Sequence, residues 1–322
     1  MNLNLSHMPG ASAGEKKKSD PSGEVHVQIQ TTSQCNARCV FCPYPDSWHA
    51  RNPGRMSHEV FEKILAELKP FRIGKICPYF ENEPLMDPHL LNRIERIKAK
   101  LQFRCLEVST NGHLLTPRIS RRLIDALRPV GHEVWISIPG VNAEDYRRTT
   151  GLDFHLTMKR VINFLKIAGG GIRVRIRGAG RPWRESRVGW KFSEEQFRES
   201  WNHIFLTHGI QTANIKLEYL RYHDRAGNIK RNPLRFGEIR KIGPENPFYC
   251  SRIDRWFHFL YTGELCICCM DYHRQEIIGD IRIQSLREIL DSDTYRKCRD
   301  RLMGLTPSSD DFICKHCIHP GG

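Results

Sequence analysis

The sequence predicts an α/β protein in which helices cover a parallel sheet and a small cysteine-rich domain follows. Strand-like and helix-like segments alternate through residues 25–220, which is typical of parallel strand pairing. Seven of the twelve cysteines lie in the last 73 residues. With 322 residues and 39% hydrophobic content, the chain can bury a large core. Periodicity alone leaves an open barrel and a doubly wound sheet as alternatives.

Six segments of the first part have the apolar pattern of strands. They are residues 25–32, 73–80, 103–112, 133–140, 172–178 and 213–220. Helical spacing of apolar residues is found between them, with Ser57 as an N-cap and Gly209 as a C-cap. The predicted helices are residues 57–71, 87–101, 116–127, 153–167 and 193–209, and a further amphipathic helix spans 285–305.

These patterns divide the chain into four regions. Residues 1–23 are polar and rich in Gly and Ser, and we expect a disordered tail. Residues 24–220 form the α/β domain, and the Pro- and Gly-containing residues 221–249 form a linker. In the cysteine-rich domain, residues 250–322, a hairpin is predicted over residues 255–269 with its turn at Thr262 and Gly263.

The charge is strongly positive, with 50 Lys and Arg against 36 Asp and Glu and a net charge of +14. The sequence lacks a basic run with stacking aromatic residues, so we interpret the charge as a solvated surface rather than a nucleic-acid interface. It also lacks an uncharged stretch long enough for a membrane span and an apolar run typical of a signal peptide. We therefore expect a cytoplasmic protein whose clustered cysteines bind metal rather than form disulfides.

The first cysteine cluster follows the first predicted strand directly and consists of Cys35, Cys39 and Cys42. Three thiolates can hold three corners of a 4Fe–4S cluster and leave the fourth iron open to a small chelating molecule. A structural zinc ion would need four ligands, which this spacing fits poorly.

This motif, with Phe41 before its last cysteine, resembles that of the radical S-adenosylmethionine (SAM) enzymes. Three later segments resemble, in order, motifs on the second, third and fourth strands of the same family. They are residues 81–85, 109–112 and 135–140. The resemblance covers about residues 25–220 and implies a partial (β/α)6 barrel. It also implies that SAM chelates the open iron and is cleaved, by one electron, to methionine and a 5′-deoxyadenosyl radical.

The resemblance further implies which residues contact SAM. Glu83 is the expected acceptor for its amino group, Ser137 a contact for the nucleoside, and Asn111 a weaker candidate. The chain departs from the family pattern at Glu81 and Asn82, where relatives have two glycines, and at Pro139, where many relatives have Asp.

Strict alternation in the fifth strand places three arginines on one face, opposite the apolar residues that would meet the helices. In a barrel, Arg173, Arg175 and Arg177 would point inward and need anionic partners. The carboxylate of SAM could bind Arg175. A substrate anion, or Glu218 and Glu107 on neighbouring strands, could bind the others. In the alternative interpretation, this is an edge strand with its arginines in solvent.

The second cluster resembles the twitch domain, a shortened SPASM domain that binds one auxiliary 4Fe–4S cluster. The resemblance implies four ligands: Cys250, Cys268, Cys314 and Cys317. Cys268 is chosen over Cys266 and Cys269 by the family spacing alone. The sequence ends five residues after Cys317, so we expect no second auxiliary cluster. A zinc ribbon is the alternative for these four thiols. Buried structural thiols are expected at Cys77, Cys105 and Cys298.

A single auxiliary cluster beside a short barrel resembles the 2-deoxy-scyllo-inosamine dehydrogenase branch of the family. This implies hydrogen abstraction from a sugar, aminocyclitol or nucleoside in specialised-metabolite (antibiotic) biosynthesis, with the auxiliary cluster taking up an electron. The substrate would be a small molecule, anionic or sugar-like, and flavodoxin or ferredoxin the electron donor. Glu218 is a candidate base, and Cys266 or Cys269 could return hydrogen in an epimerisation.

Two other functions remain open from the sequence. The first is a maturase that crosslinks, oxidises or epimerises a ribosomal peptide. Only 24 residues precede the first strand, however, too few for a folded peptide-binding module. The second is a basic, zinc-stabilised nucleic-acid-binding protein, which would bind zinc instead of iron and show salt-dependent affinity.

Overall fold

The computed structural model describes residues 23–128, 131–180, 193–221, 225–229 and 240–317. Within these ranges nine strands form one sheet in the order β6-β5-β4-β3-β2-β1-β7-β8-β9. The strands are β1 (Val25–Ile29), β2 (Ile73–Cys77), β3 (Phe103–Thr110), β4 (Glu133–Ser137), β5 (Arg173–Gly180), β6 (Ile215–Arg221), β7 (Trp256–Phe259), β8 (Glu264–Cys266) and β9 (Ile277–Asp280).

Helices connect the first six strands, which are all parallel and neighbour each other in sequence order, as the alternation predicted. Ten α-helices are described: α1 (Trp48–Arg51), α2 (His58–Leu68), α3 (Leu90–Lys100), α4 (Pro117–Ala126), α5 (Ala143–Thr150), α6 (Phe154–Ala168), α7 (Glu194–His208), α8 (Ser251–Arg255), α9 (Leu286–Leu290) and α10 (Asp293–Leu302). None of the described helices has the length and hydropathy required to cross a bilayer.

The two faces of the parallel strands differ in chemistry. Leu106, Val108, Ile136 and Ile176 are fully buried in the hydrophobic core. The alternate residues of the same strands carry polar and charged side chains, so the opposite face forms a polar lumen. This arrangement confirms that the apolar residues of the fifth strand belong to the core and that its arginines lie on the other face.

The cysteine-rich part is joined to the first part through the sheet itself. Strand β7 pairs in parallel with β1, so that His26 lies opposite Trp256 and Gln28 opposite His258. The chain then turns at Gly263, whose φ of +97° favours glycine, and returns antiparallel as β8. The predicted hairpin is therefore present, and it extends the barrel sheet instead of standing apart from it.

Two elements differ from the sequence-based expectation. The predicted helix over residues 285–305 is two helices, because Ser285 caps α9 and Ser292 caps α10 through its own side chain. Helix α5 was not predicted. It begins at the side-chain cap of Asn142 and ends at Gly151, which is left-handed.

The predicted tail lies outside the described residues, apart from Gly23. The predicted linker, residues 221–249, is described only at 221, 225–229 and 240–249.

His258 on β7 gives the fold a pH dependence. Its ring is fully buried, and neither nitrogen has a hydrogen-bond partner among the described residues. Burial, together with the charge of Arg252, lowers its pKa to about 3. The pKa of His258 is lower in the folded protein than in the unfolded chain. Its contribution to the free energy of unfolding is therefore complete above pH 6.5 and is lost as the pH falls towards 3.

We therefore expect His258→Phe to reduce the slope of unfolding free energy against pH by about 1.4 kcal/mol per pH unit between pH 5 and 6. Denaturant titrations at several pH values measure this slope. His58→Phe, at an exposed position at the start of α2, should leave it unchanged. An unchanged slope in His258→Phe would show that this histidine is protonated in the folded protein.

Candidate functional site

The first cysteine cluster forms a compact loop after β1. The Cys35 amide donates to the Tyr44 hydroxyl at 2.9 Å, and the Cys42 amide donates to the Cys39 carbonyl at 3.0 Å. Burial raises the pKa of all three thiols. Buried thiols with a raised pKa stay protonated and unreactive when no metal is bound. A positively charged iron centre favours the thiolate form, so these thiols are suited to binding iron.

Helix α5 anchors this loop from the side. The amides of Arg38 and Val40 donate to the carbonyls of Thr150 and Thr149 at 2.8 and 2.9 Å. These are carbonyls of the last turn of the helix, which have no partner inside it. The unpredicted helix therefore fixes the backbone on both sides of Cys39.

Glu83 lies beside the loop at the carboxyl end of β2. Its carboxylate accepts hydrogen bonds from the Thr110 hydroxyl (2.7 Å), the Asn111 amide (2.7 Å) and the Leu85 amide (3.1 Å). Burial raises its pKa to about 7, against the opposing effect of these bonds. The Asn111 side chain donates to Asn36 in the cysteine loop at 2.7 Å. The structure thus places Glu83 and Asn111 beside the loop that carries the first cysteine cluster.

Glu81 stands where relatives have glycine, and the structure shows its backbone conformation and the contact of its side chain. Glu81 adopts a φ of +29°, a left-handed conformation that glycine adopts at little cost. Its carboxyl group is buried within 2.8 Å of the His49 ring nitrogen. Burial raises the pKa of Glu81 well above its usual value and lowers that of His49 to about 3. Burial therefore disfavours the charged form of both groups.

The lumen holds a set of matched charges around the indole of Trp135. Arg175 binds Glu133 at 3.0 Å and Glu218 at 2.5 Å, and Arg177 binds Glu218 at 3.0 Å. The guanidinium of Arg177 lies 3.3 Å from the centre of the indole ring. Glu133 was not predicted as a partner, since it stands at the start of its strand.

Glu107, the other predicted partner, binds elsewhere. It pairs with Lys75 and accepts a hydrogen bond from Tyr79. The expected pairing of the arginines with Glu107 is therefore wrong. Ser137 is half-buried at the end of β4, opposite Arg177 in the strand register. Phe41 is half-buried between Cys39 and Cys42.

The second cluster surrounds a cavity of about 320 Å³. All four predicted ligands line it: Cys250, Cys268, Cys314 and Cys317. A single zinc ion holds its sulfur ligands about 3.8 Å apart. Among the described residues, no three His, Cys, Asp or Glu side chains converge closely enough for one ion. Four thiols around one cavity match the ligand number of a 4Fe–4S cluster.

The other C-terminal cysteines have different surroundings. Cys266 is buried against Phe80 and Leu260. Cys298 is buried in α10, and Cys77 and Cys105 are buried in strands, as expected of structural thiols. Cys269 does not line the cavity. A hydrogen bond from the Cys268 thiol lowers its pKa to about 6, and the charges of Arg252 and Arg225 add to this effect.

Part of the predicted linker forms the wall of the cavity. Arg225 and Ala226 line it, and the Asn228 side chain donates to the Met270 carbonyl at 2.6 Å. Burial raises the pKa of the Cys42 thiol, and the charge of Arg225 opposes part of that rise. Arg225 is therefore within electrostatic range of both cysteine clusters. No local pattern in the sequence marks this residue.

Comparisons with known proteins agree with both sites. The Radical SAM superfamily model matches residues 29–177, and the SPASM model, described as an iron–sulfur cluster-binding domain, matches residues 250–318. The two models together match more than half of the chain. The second match is to an iron–sulfur domain, which replaces the zinc ribbon considered from the sequence.

Solved structures show the same fold at low sequence identity. BtrN in complex with AdoMet and 2-DOIA superposes with a TM-score of 0.56 at 16% identity, over 92% of this chain and 94% of that one. The anSMEcpe structure with AdoMet and the Cp18Cys peptide gives 0.55 at 15% identity, over 87% of both chains.

Curated relatives match only in part, and the chain spans about half their length or less. One is the pyruvate formate-lyase-activating enzyme of Staphylococcus epidermidis, 25% identical over 38% of this chain and 50% of that protein.

The cysteine loop after β1, the four-cysteine cavity and the two family matches lead to one conclusion. The chain belongs to the radical SAM superfamily, with a SPASM domain after its barrel, and its cofactors are a 4Fe–4S cluster, SAM and an auxiliary iron–sulfur cluster.

Proposed function

We propose that the protein is an oxidoreductase that removes hydrogen from an oxygen-bearing carbon of a sugar, aminocyclitol or nucleoside in specialised-metabolite biosynthesis. When bound, the first cluster and SAM supply the 5′-deoxyadenosyl radical, and the auxiliary cluster supplies an electron acceptor. We further propose flavodoxin or ferredoxin as the reductant.

Cys35, Cys39 and Cys42 would hold the first cluster. Glu83 would bind the amino group of SAM, because its oxygens are fixed by three donors and a buried carboxylate strongly favours a cationic partner. Asn111 positions this group through its backbone amide and reaches the cysteine loop through its side chain.

We do not assign Arg175 to the carboxylate of SAM, because its guanidinium group already binds Glu133 and Glu218. We propose the half-buried Ser137, beside Arg177 in the register, as the nucleoside contact.

The observation that carries the substrate class is the balance of charge in the lumen. Lys75 and the two inner arginines, Arg175 and Arg177, face three carboxylates, those of Glu107, Glu133 and Glu218. These inner groups neutralise one another, and the more exposed Arg173 and Lys216 also pair with Glu133 and Glu218. Because every one of these cations already has a carboxylate partner, we do not expect a highly anionic substrate. The many donors and acceptors of the lumen instead suit the hydroxyl groups of a neutral polyol.

The environment of Glu218 argues against its predicted role as a base. Burial alone would raise its pKa, but hydrogen bonds and charges from Arg175, Arg177 and Lys216 lower it to about 2. So weak a base is poorly matched to proton abstraction near neutral pH.

Cys266 and Cys269 are also poor hydrogen donors for an epimerisation. Cys266 is enclosed by apolar side chains. Cys269 lies against the Arg252 guanidinium, which favours the thiolate, a form with no S–H bond to donate. Dehydrogenation is therefore our preferred reaction.

Anaerobic assays with an aminocyclitol deuterated at its secondary carbinol carbons test this proposal. We expect deuterium in 5′-deoxyadenosine and a ketone product three mass units lighter than the deuterated substrate, because one carbon-bound deuterium and one hydroxyl proton are lost. Deuterium transfer without a ketone would contradict the dehydrogenation. Transfer only from a peptide substrate would favour the maturase function, towards which the likeness to anSMEcpe points.

Glu83→Gln tests the proposed SAM contact. The amide keeps the size of the side chain but loses the charge and one pair of acceptor sites, so we expect SAM to bind at least tenfold more weakly. Equilibrium dialysis under anaerobic conditions measures the affinity. Glu95→Gln, at an exposed position on α3, serves as the matched control. Equal affinity of the Glu83 variant and the control would rule out the contact.

A further inference from the structure

Two arginines line the four-cysteine cavity, and they come from different parts of the chain. Arg252 lies on α8, two residues after Cys250, and Arg225 lies in the segment that precedes the cysteine-rich domain. Neither position belongs to the cysteine pattern. Both place a permanent positive charge at the wall of the cluster site.

Arg252 is held beside the cluster ligands by contacts with Cys269 and Trp256, neither of which is a proposed ligand. Its Nη1 lies 2.9 Å from the Cys269 sulfur, and its guanidinium lies 5.8 Å from the centre of the Trp256 ring. It is also within electrostatic range of Cys268, Cys250 and Cys317. Three of the four proposed ligands therefore experience its charge.

Arg225 is held by a strained backbone. Arg225, Ala226 and Gly227 have successive φ angles of +53°, +57° and +76°, a conformation that costs free energy for the two residues with a side chain. The Asn228 side chain donates to the Arg225 carbonyl at 2.8 Å and to the Met270 carbonyl at 2.6 Å. These bonds fasten the turn beside Cys268 and Cys269.

The charges of the site explain why such residues matter. A 4Fe–4S core with four thiolates carries about −2 in its oxidised form and about −3 after taking up one electron. Two guanidinium groups offset the charge of the oxidised form. They stabilise the reduced form further, since it is the more negative of the two.

We propose that Arg225 and Arg252 raise the reduction potential of the auxiliary cluster and so make it a better electron acceptor. The inference rests on the auxiliary cluster alone and not on the substrate proposed above. Its failure is therefore distinguishable from a failure of the proposed function.

The test uses the full chain with Cys35, Cys39 and Cys42 all replaced by Ala, so that only the auxiliary cluster contributes to the signal. Arg252→Gln and Arg225→Gln are introduced singly and together, with Arg252→Lys as the charge-preserving variant. Arg287→Gln, at an exposed arginine paired with Asp291 in the same domain, is the control. Redox titration monitored by electron paramagnetic resonance gives the midpoint potential, and iron analysis gives the cluster content.

We expect each glutamine variant to retain its iron and to shift the midpoint to a more negative potential, with the largest shift in the double variant. Arg252→Lys should keep most of the parent potential, and Arg287→Gln should equal the parent. Unchanged potentials in both single variants would overturn the proposal. Loss of iron from both would overturn it as well, because the arginines would then be needed to hold the cluster.

Discussion

Replacing Cys35, Cys39 and Cys42 together with Ala removes about four of roughly eight irons per chain and abolishes cleavage of SAM. The physical reason is that the three thiols lie half-buried in one loop and supply all the protein ligands that we assign to the first cluster. Without the first cluster, SAM is neither chelated nor reduced and is not cleaved to 5′-deoxyadenosine. We expect the rate of SAM cleavage to fall at least a thousandfold.

Iron and sulfide analysis after anaerobic reconstitution measures the first effect, and chromatography of 5′-deoxyadenosine the second. Cys105→Ala, which removes a buried thiol of β3, is the matched control and should keep all the iron. Cleavage at the parental rate by the triple variant would disprove the assignment of these three ligands.

The second large effect is expected from Cys314/Cys317→Ala. These thiols line the C-terminal cavity, so the variant should also retain about four irons per chain, now those of the first cluster. It should still cleave SAM, since the loop after β1 is intact, but oxidation of the substrate should fall by at least a hundredfold. The contrast between the two activities separates the roles of the two sites.

Single variants at the neighbouring cysteines refine this result. Cys268→Ala should lower the iron content, whereas Cys266→Ala and Cys298→Ala should not, because neither of these side chains lines the cavity. Retention of about eight irons by Cys314/Cys317→Ala would refute the assignment of the C-terminal ligands.

Much of the fold was predictable because its signals are local. The six strands and the helices between them follow from apolar periodicity, and the side-chain caps at Ser57 and Ser193 mark helix starts. The spacing of Cys35, Cys39 and Cys42 pointed to a cluster site for the same reason. All of these signals lie within a few residues of the feature that they predict.

The unpredicted features depend on contacts between distant residues. The pairing of β1 with β7 joins residues more than two hundred positions apart, and no local pattern marks it. The partner of Arg175 at Glu133 depends on strand register, which periodicity does not determine. Glu81 has a side chain where relatives have glycine, and only the structure shows that this side chain lies against His49.

The pairing of β1 with β7 also determines how the protein can be divided. If the chain were cut before residue 250 to isolate the barrel, one side of β1 would lose its neighbour, and its amides and carbonyls would face water as an unprotected border of the sheet. Such borders promote association between molecules. The iron-binding C-terminal part is therefore a lateral cover for the barrel, and a truncated barrel should aggregate.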